Sequence, residues 1–155
     1  MKESRVQAII TKWFRDKRYD VDENTYFNTE NKIDVVAKKG SECWVIEVKG
    51  DYDKNTAQYN VNFDTGIGQI SKSITKIDSN TKYAMSIPIS RTERREKLSY
   101  RLILPKYSKS IIFETLNLHL ILVRDDQSVE IVTPKDVRNF LSNIDTTTEV
   151  RFNQG

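Results

Sequence analysis

Residues 33–50 read Ile33-Asp34-Val35-Val36-Ala37-Lys38-Lys39-Gly40-Ser41-Glu42-Cys43-Trp44-Val45-Ile46-Glu47-Val48-Lys49-Gly50. An aspartate and a glutamate stand inside two apolar runs, and a lysine follows the glutamate by two. An unpaired buried charge is costly, so carboxylates in such runs need a reason. Lys38-Lys39-Gly40-Ser41 has the chemistry of a hairpin turn, which predicts two antiparallel strands. With Gly40-Ser41 as a two-residue loop, facing residues have numbers that sum to 81, and Asp34 falls opposite Glu47. Cβ atoms so paired lie roughly 4.5–5.5 Å apart. Side chains alternate along a strand, so Lys49 shares the face of Glu47. Ile33, Val35, Ala37, Trp44, Ile46 and Val48 then point to the other face, into a core. A four-residue loop keeps this register, whereas a three-residue loop would turn Asp34 to the wrong face. The register that buries the apolar residues is the one that gathers the charges.

The flanking sequence predicts a mixed α/β order. Residues 4–18 read as a helix, with a Ser4-to-Gln7 capping box and Val6, Ile9, Ile10, Trp13 and Phe14 on one face. A strand is expected over 19–27 and a polar, mobile loop over about 51–63. Asp64 or Thr65 can cap a second helix with an Ile67, Ile70, Ile74 and Ile77 stripe. Residues 83–89 form a further strand that Pro88 helps to end. A basic helix over 91–103 and another over 108–117 follow. Strands at 118–123 and 128–132 flank Asp125-Asp126, and Pro134 opens a last helix to about Ser142. Helices can thus cover both faces of a sheet, with the strands at 33–37 and 44–48, apolar on both faces, in its middle.

The chain of 155 residues is 37% hydrophobic and 30% charged, in the range of one globular domain. The expected division is a single domain over 1–145 and a polar tail over 146–155. No apolar run approaches the ~18–20 residues of a transmembrane helix. MKESRVQAIITKWF has neither the apolar stretch nor the cleavage site of a signal peptide. Cys43 and His119 are single, so neither a disulfide nor a cysteine–histidine zinc site is expected. His119, in an alternating apolar strand, reads as structural, and Trp13, Phe14 and Trp44 as core. The cytoplasm is the default compartment.

Two facing carboxylates repel and raise each other's pKa. A divalent cation between them removes the conflict. Mg²⁺ takes oxygen ligands, commonly one or two carboxylates with waters and substrate phosphate oxygens. Such a cation can activate water and neutralise charge on a phosphoryl group. A lysine beside it, a compact charge with three donors, can hold the attacking water or a phosphate oxygen. The combination suits phosphodiester hydrolysis. A competing reading of the same residues is an Asp34–Lys49 or Glu47–Lys49 ion pair at a strand end.

Ile33-Asp34, twelve intervening residues and Glu47-Val48-Lys49 resemble the motif of the PD-(D/E)XK nuclease superfamily, the restriction-endonuclease-like fold. Isoleucine stands where the family name has proline. The likeness covers about residues 3–89. It implies a central mixed sheet flanked by helices on both faces. It also implies Mg²⁺, with Mn²⁺ as a substitute, on Asp34, Glu47 and the Val48 carbonyl. Lys49 would orient the water and stabilise the phosphorane-like state. Gln69, in GIGQISKSI, would place substrate or Lys49, and Glu3, near the opening helix, would add a ligand or a base contact through water.

The net charge is +3 with pI near 8.9. Between Arg91 and Lys109, seven basic residues stand against two acids. Arg91, Arg94, Arg95, Lys97 and Arg101 are therefore the expected contacts to a phosphate backbone. If that stretch is only a solvated face, the DNA path runs over the 51–63 loop and Lys72 and Lys76. The leading expectation is a metal-dependent DNA endonuclease. RNA remains open as a substrate, and two-strand cutting by so small a chain suggests a two-fold dimer. The alternative is a nucleic-acid-binding module or partner subunit with this fold but no turnover.

Overall fold

A computed structural model describes residues 1–27, 29–51, 56–89 and 100–144. Its elements in chain order are α1 (Glu3–Asp16), β1 (Asp20–Tyr26), β2 (Lys32–Lys39), β3 (Glu42–Val48), α2 (Thr56–Ser71), β4 (Thr81–Pro88), two 3₁₀ turns (Tyr100–Leu102 and Leu104–Tyr107), α3 (Ile112–Thr115), β5 (Leu118–Val123), β6 (Val129–Val132) and α4 (Pro134–Ser142). The six strands make one mixed sheet in sequence order. β1, β2 and β3 form an antiparallel meander, β3, β4 and β5 run parallel, and β6 returns antiparallel. Among the described residues no helix is long and apolar enough to cross a membrane.

The hairpin has the expected register. β2 and β3 pair from Lys39↔Glu42 to Val35↔Ile46, every pair summing to 81. Gly40 supplies the turn with a φ of 60°, which a two-residue primed turn needs at its first position. Val35, Ala37, Trp44, Ile46 and Val48 pack together with Val6, Ile9, Ile10 and Phe14 of α1. The opposite face carries Val36, Val45, Tyr83 and Met85 against Tyr59, Phe63, Ile67 and Ile70 of α2 and the later helices. Helices therefore lie on both faces, α1 alone on one among the described residues.

Several expectations need correction. The first helix begins at Glu3 with Lys2 as N-cap and no side-chain cap, so Ser4 and Gln7 form no capping box. Gln7 instead spends its amide on the sheet. The second helix begins at Thr56, eight residues before Asp64, so 56–63 is helical and not loop. Tyr59 and Phe63 extend the Ile67 and Ile70 stripe upstream at helical spacing, and their burial outweighs the poor propensity of the asparagines and glycines. The helix ends at Ser71, leaving Ile77 exposed. Ile33 belongs to the α2-side cluster and not to the face of Val35. Of the 91–103 segment, 91–99 lie outside the described residues and 100–102 is a 3₁₀ turn, while 108–117 contains only the short α3. The tail from 145 onward lies outside the described residues.

Gly50 makes a close approach that a side chain would prevent. A Cβ on Gly50 would meet the backbone of Glu3 and Lys2, whereas one on Gly68 would meet nothing. Gly50→Ala is expected to cost about 1–3 kcal/mol by overpacking. Gly68→Ala should gain up to about 1 kcal/mol of helix propensity. Thermal melts of the two variants test this; equal shifts would mean that α1 does not rest on Gly50.

Candidate functional site

The site forms where the hairpin ladder stops. Asp34 and Glu47 are the next pair after Val35↔Ile46, and the ladder does not include them. Asp34 instead uses its side chain as the strand's acceptor: its carboxylate takes the Val48 N–H at 2.7 Å. Lys49 N–H donates to the Ser86 carbonyl of β4. In an extended strand a residue's N–H and C=O point the same way, opposite to its neighbours'. The Val48 carbonyl therefore faces the same β2–β3 gap as the Asp34 carboxylate.

Glu47 is 4% exposed, and its Oε2 has no hydrogen-bond partner. Lys49 Nζ lies 3.6 Å from Glu47 Oε1 and donates to Gln69 Oε1 at 2.8 Å. Burial first, and the adjacent Asp34 carboxylate second, push the Glu47 carboxyl up to about 8, with Lys49 opposing. The ion-pair reading is thus met in part, because the Glu47–Lys49 contact exists. It does not account for the site, since a satisfied pair would hold Glu47 low. Here the partners in the chain fail to offset desolvation.

The remaining neighbours come from both sides of the sheet. Glu3 stands in the first turn of α1, brought there by the contact of α1 with Gly50. Its carboxyl is raised by burial, lowered by Lys49 and raised by Asp34, which shows that all three share one field. From the other side, α2 passes close over Lys49. A Cβ on Gly66 would meet the Met85 side chain and come within 3.0 Å of Lys49 Cε. Gly66 precedes Gln69 by three residues, on the same helix face. The segment after Lys49 is pinned as well: Tyr100 OH donates to the Gly50 carbonyl at 2.8 Å and Tyr59 OH to Asp51 at 3.1 Å.

The structure therefore gathers Glu3, Asp34, Glu47, Val48, Lys49 and Gln69 at one end of the sheet. Of the basic residues expected to contact DNA, Lys72, Lys76 and Arg101 fall among the described residues. Lys72 and Lys76 are exposed on the connection from α2 to β4. That connection leads to Thr81, which pairs with Cys43 at the opposite end of β3 from Lys49. Lys76 also lies 3.9 Å from Asp78. Arg101 is half-buried on a 3₁₀ turn. Arg91, Arg94, Arg95 and Lys97 lie outside the described residues. His119 is buried against Trp44, with Nδ1 3.2 Å from the Tyr83 carbonyl, and its burial holds the ring's pKa down. Sequence reasoning missed Gln7, whose Nε2 donates to the Asp34 carbonyl at 3.3 Å and to Glu23 at 3.2 Å. It also missed Gly50 and Gly66, although a glycine directly after Lys49 and one a helical turn before Gln69 can mark close approach.

No protein-family model and no curated protein matches the chain.

The raised Glu47 carboxyl has a consequence for stability without metal. Between its ordinary value of 4.5 and about 8, the folded protein holds a proton that the unfolded chain has released. Stability should fall as pH rises through that window. Glu47→Gln should remove this part of the slope, so the variant gains on the wild type between pH 5 and pH 9. Denaturant melts in chelator at pH 5, 7 and 9 measure the difference; a constant difference across that range would mean that Glu47 is ionised throughout.

Proposed function

We propose that the protein is a metal-dependent nuclease that hydrolyses phosphodiester bonds in DNA. The observation that carries the reading is the buried Glu47 carboxylate, with an unpartnered oxygen, set beside the Asp34 carboxylate and the Lys49 ammonium. The fold adds support, as a mixed sheet with helices on both faces is compatible with a restriction-endonuclease-like core. The spacing Asp34…Glu47-Val48-Lys49 agrees with the PD-(D/E)XK motif.

The donor set fits Mg²⁺. Asp34, Glu47 and the Val48 carbonyl offer hard oxygen ligands, the kind that waters and phosphate oxygens complete around this ion. Among the described residues no three Asp, Glu, His or Cys side chains form a metal cluster by themselves. A Mg²⁺ site of one or two carboxylates does not need one. When bound, the cation supplies Lewis-acid neutralisation of the phosphoryl charge and makes water acidic enough to attack.

The protein's own groups do the rest. Lys49, fixed by Gln69 and by the passage under Gly66, presents its ammonium where negative charge develops on the phosphoryl oxygens. Glu3, with a raised carboxyl at the start of α1, can take a proton through water. Asp34 is kept in place by the Val48 N–H, so the carboxylate does not have to be ordered when substrate arrives. Duplex binding is assigned to the basic stretch at Arg91, Arg94, Arg95, Lys97 and Arg101, and a second copy of the chain would serve a second strand.

Incubation with plasmid, single-stranded and branched DNA in Mg²⁺ or Mn²⁺ tests the reading. Cleavage should require the cation and vanish in Asp34→Ala and Glu47→Ala. Lys49→Ala should retain metal binding while losing about 10²–10³ in rate, the range for one electrostatic contact in a transition state. A wild type that leaves all three substrates intact, or cleavage that persists in Asp34→Ala, would overturn the nuclease assignment. Metal affinity lost together with rate in Lys49→Ala would mean that the lysine holds the carboxylates in place.

A further inference from the structure

Asn24 lies inside β1, yet its backbone is left-handed, with a φ of 50°. Asparagine is one of the few residues besides glycine that accept this conformation. The pairing of β1 with β2 keeps one register on both sides, Glu23↔Val35 and Thr25↔Ile33, and omits only the step Asn24↔Asp34. Side-chain alternation fails at the same step. Val35 packs under α1, whereas Ile33, two residues earlier, packs on the α2 side. Between them, the Asp34 carboxylate turns into the β2–β3 gap and accepts the Val48 N–H.

A second element holds the distortion. Gln7 of α1 donates to the Asp34 carbonyl and to Glu23, the residue before Asn24, and Thr11 donates to the same Glu23 oxygen. The Asn24 side chain itself is exposed. What the position contributes is therefore its backbone conformation.

We propose that Asn24 is a positioning residue: its left-handed backbone takes Asp34 out of the sheet's alternation and aims the carboxylate into the gap beside Glu47. A β-branched residue is strongly disfavoured at this φ. Asn24→Val should restore regular pairing opposite Asp34, put the Asp34 side chain on a sheet face and release the Val48 N–H. Asn24→Gly accepts the left-handed conformation and should leave the arrangement intact.

The geometric effect is independent of turnover, while its effect on metal affinity rests on the nuclease reading. The test compares wild type, Asn24→Val, Asn24→Ala and Asn24→Gly by amide hydrogen exchange, by the Val48 ¹⁵N–¹H shift, and by Mn²⁺ titration. In Asn24→Val, Val48 exchange should rise at least tenfold, its resonance should move, and Mn²⁺ affinity should fall about tenfold. Asn24→Ala should follow in the same direction, and it serves alone if the valine variant does not fold. Asn24→Gly should behave as wild type. A Val48 amide unchanged in both Asn24→Val and Asn24→Ala, or shifted as much in Asn24→Gly, overturns the proposal. If the amide responds as expected but the wild type binds no Mn²⁺, the positioning stands and the metal-dependent reading fails.

Discussion

The Glu47 carboxylate is buried at the end of an inner strand, with Lys49 as its nearest cation and Asp34 as its nearest anion. Desolvation and the like charge together outweigh the lysine, so without a further partner the group is held as the acid. Most local features of this region follow from that imbalance. Asp34 stands beside Glu47 with its carboxylate accepting the Val48 N–H. Gly66 leaves room for the Met85 and Lys49 side chains beneath α2. Glu3 arrives because Gly50 lets the start of α1 rest directly on the strand exit. A divalent cation would reverse the balance, because it would favour the ionised form of Glu47 and take both carboxylates as ligands.

The topology explains why this happens at one end of the sheet. β3 is antiparallel to β2 on one side and parallel to β4 on the other. The parallel pair requires a crossover, which α2 provides, and the chain must leave β3 at Lys49-Gly50-Asp51 to begin it. Exits at the carboxyl ends of parallel strands are where open α/β sheets hold ligands. Here the exit is fastened from both faces, by the first residues of α1 and by Tyr59 and Tyr100, so the functional groups sit on a rigid frame.

Much of this frame was legible in the sequence. Gly40-Ser41 between two β-rich runs set the hairpin register, and period-two burial then placed Glu47 and Lys49 on one face. The mixed α/β order and the last helix, from Pro134 to Ser142, followed from turn residues and apolar spacing. What was not legible is what violates local rules. Tyr59 and Phe63 sit among asparagines and ahead of two glycines, so propensity argued for a loop where burial makes a helix. Ser4 and Gln7 match a capping box, but Gln7 gains more from bridging Asp34 and Glu23. Ile33 should share a face with Val35 and does not, because side-chain alternation fails at Asp34, opposite the left-handed backbone of Asn24. A single asparagine in a strand is a weak signal, and nothing local says that it faces the motif aspartate.

Glu42 provides an internal comparison for Glu47, since the two glutamates stand at opposite ends of the same strand. Glu42 accepts hydrogen bonds from Tyr19, Trp44 and Lys82, and these partners hold its carboxyl below the usual range. Its end of the hairpin carries a regular ladder and cation–ring contacts from Lys39 and Lys82. At the Glu47 end the ladder stops, a backbone is left-handed, a carboxylate oxygen is orphaned and two glycines admit close contacts. The same strand thus contains a satisfied, partly exposed carboxylate beside the turn and a buried one between Ile46 and Val48 with an unpartnered oxygen. The asymmetry is what a site requires when its missing partner comes from outside the chain.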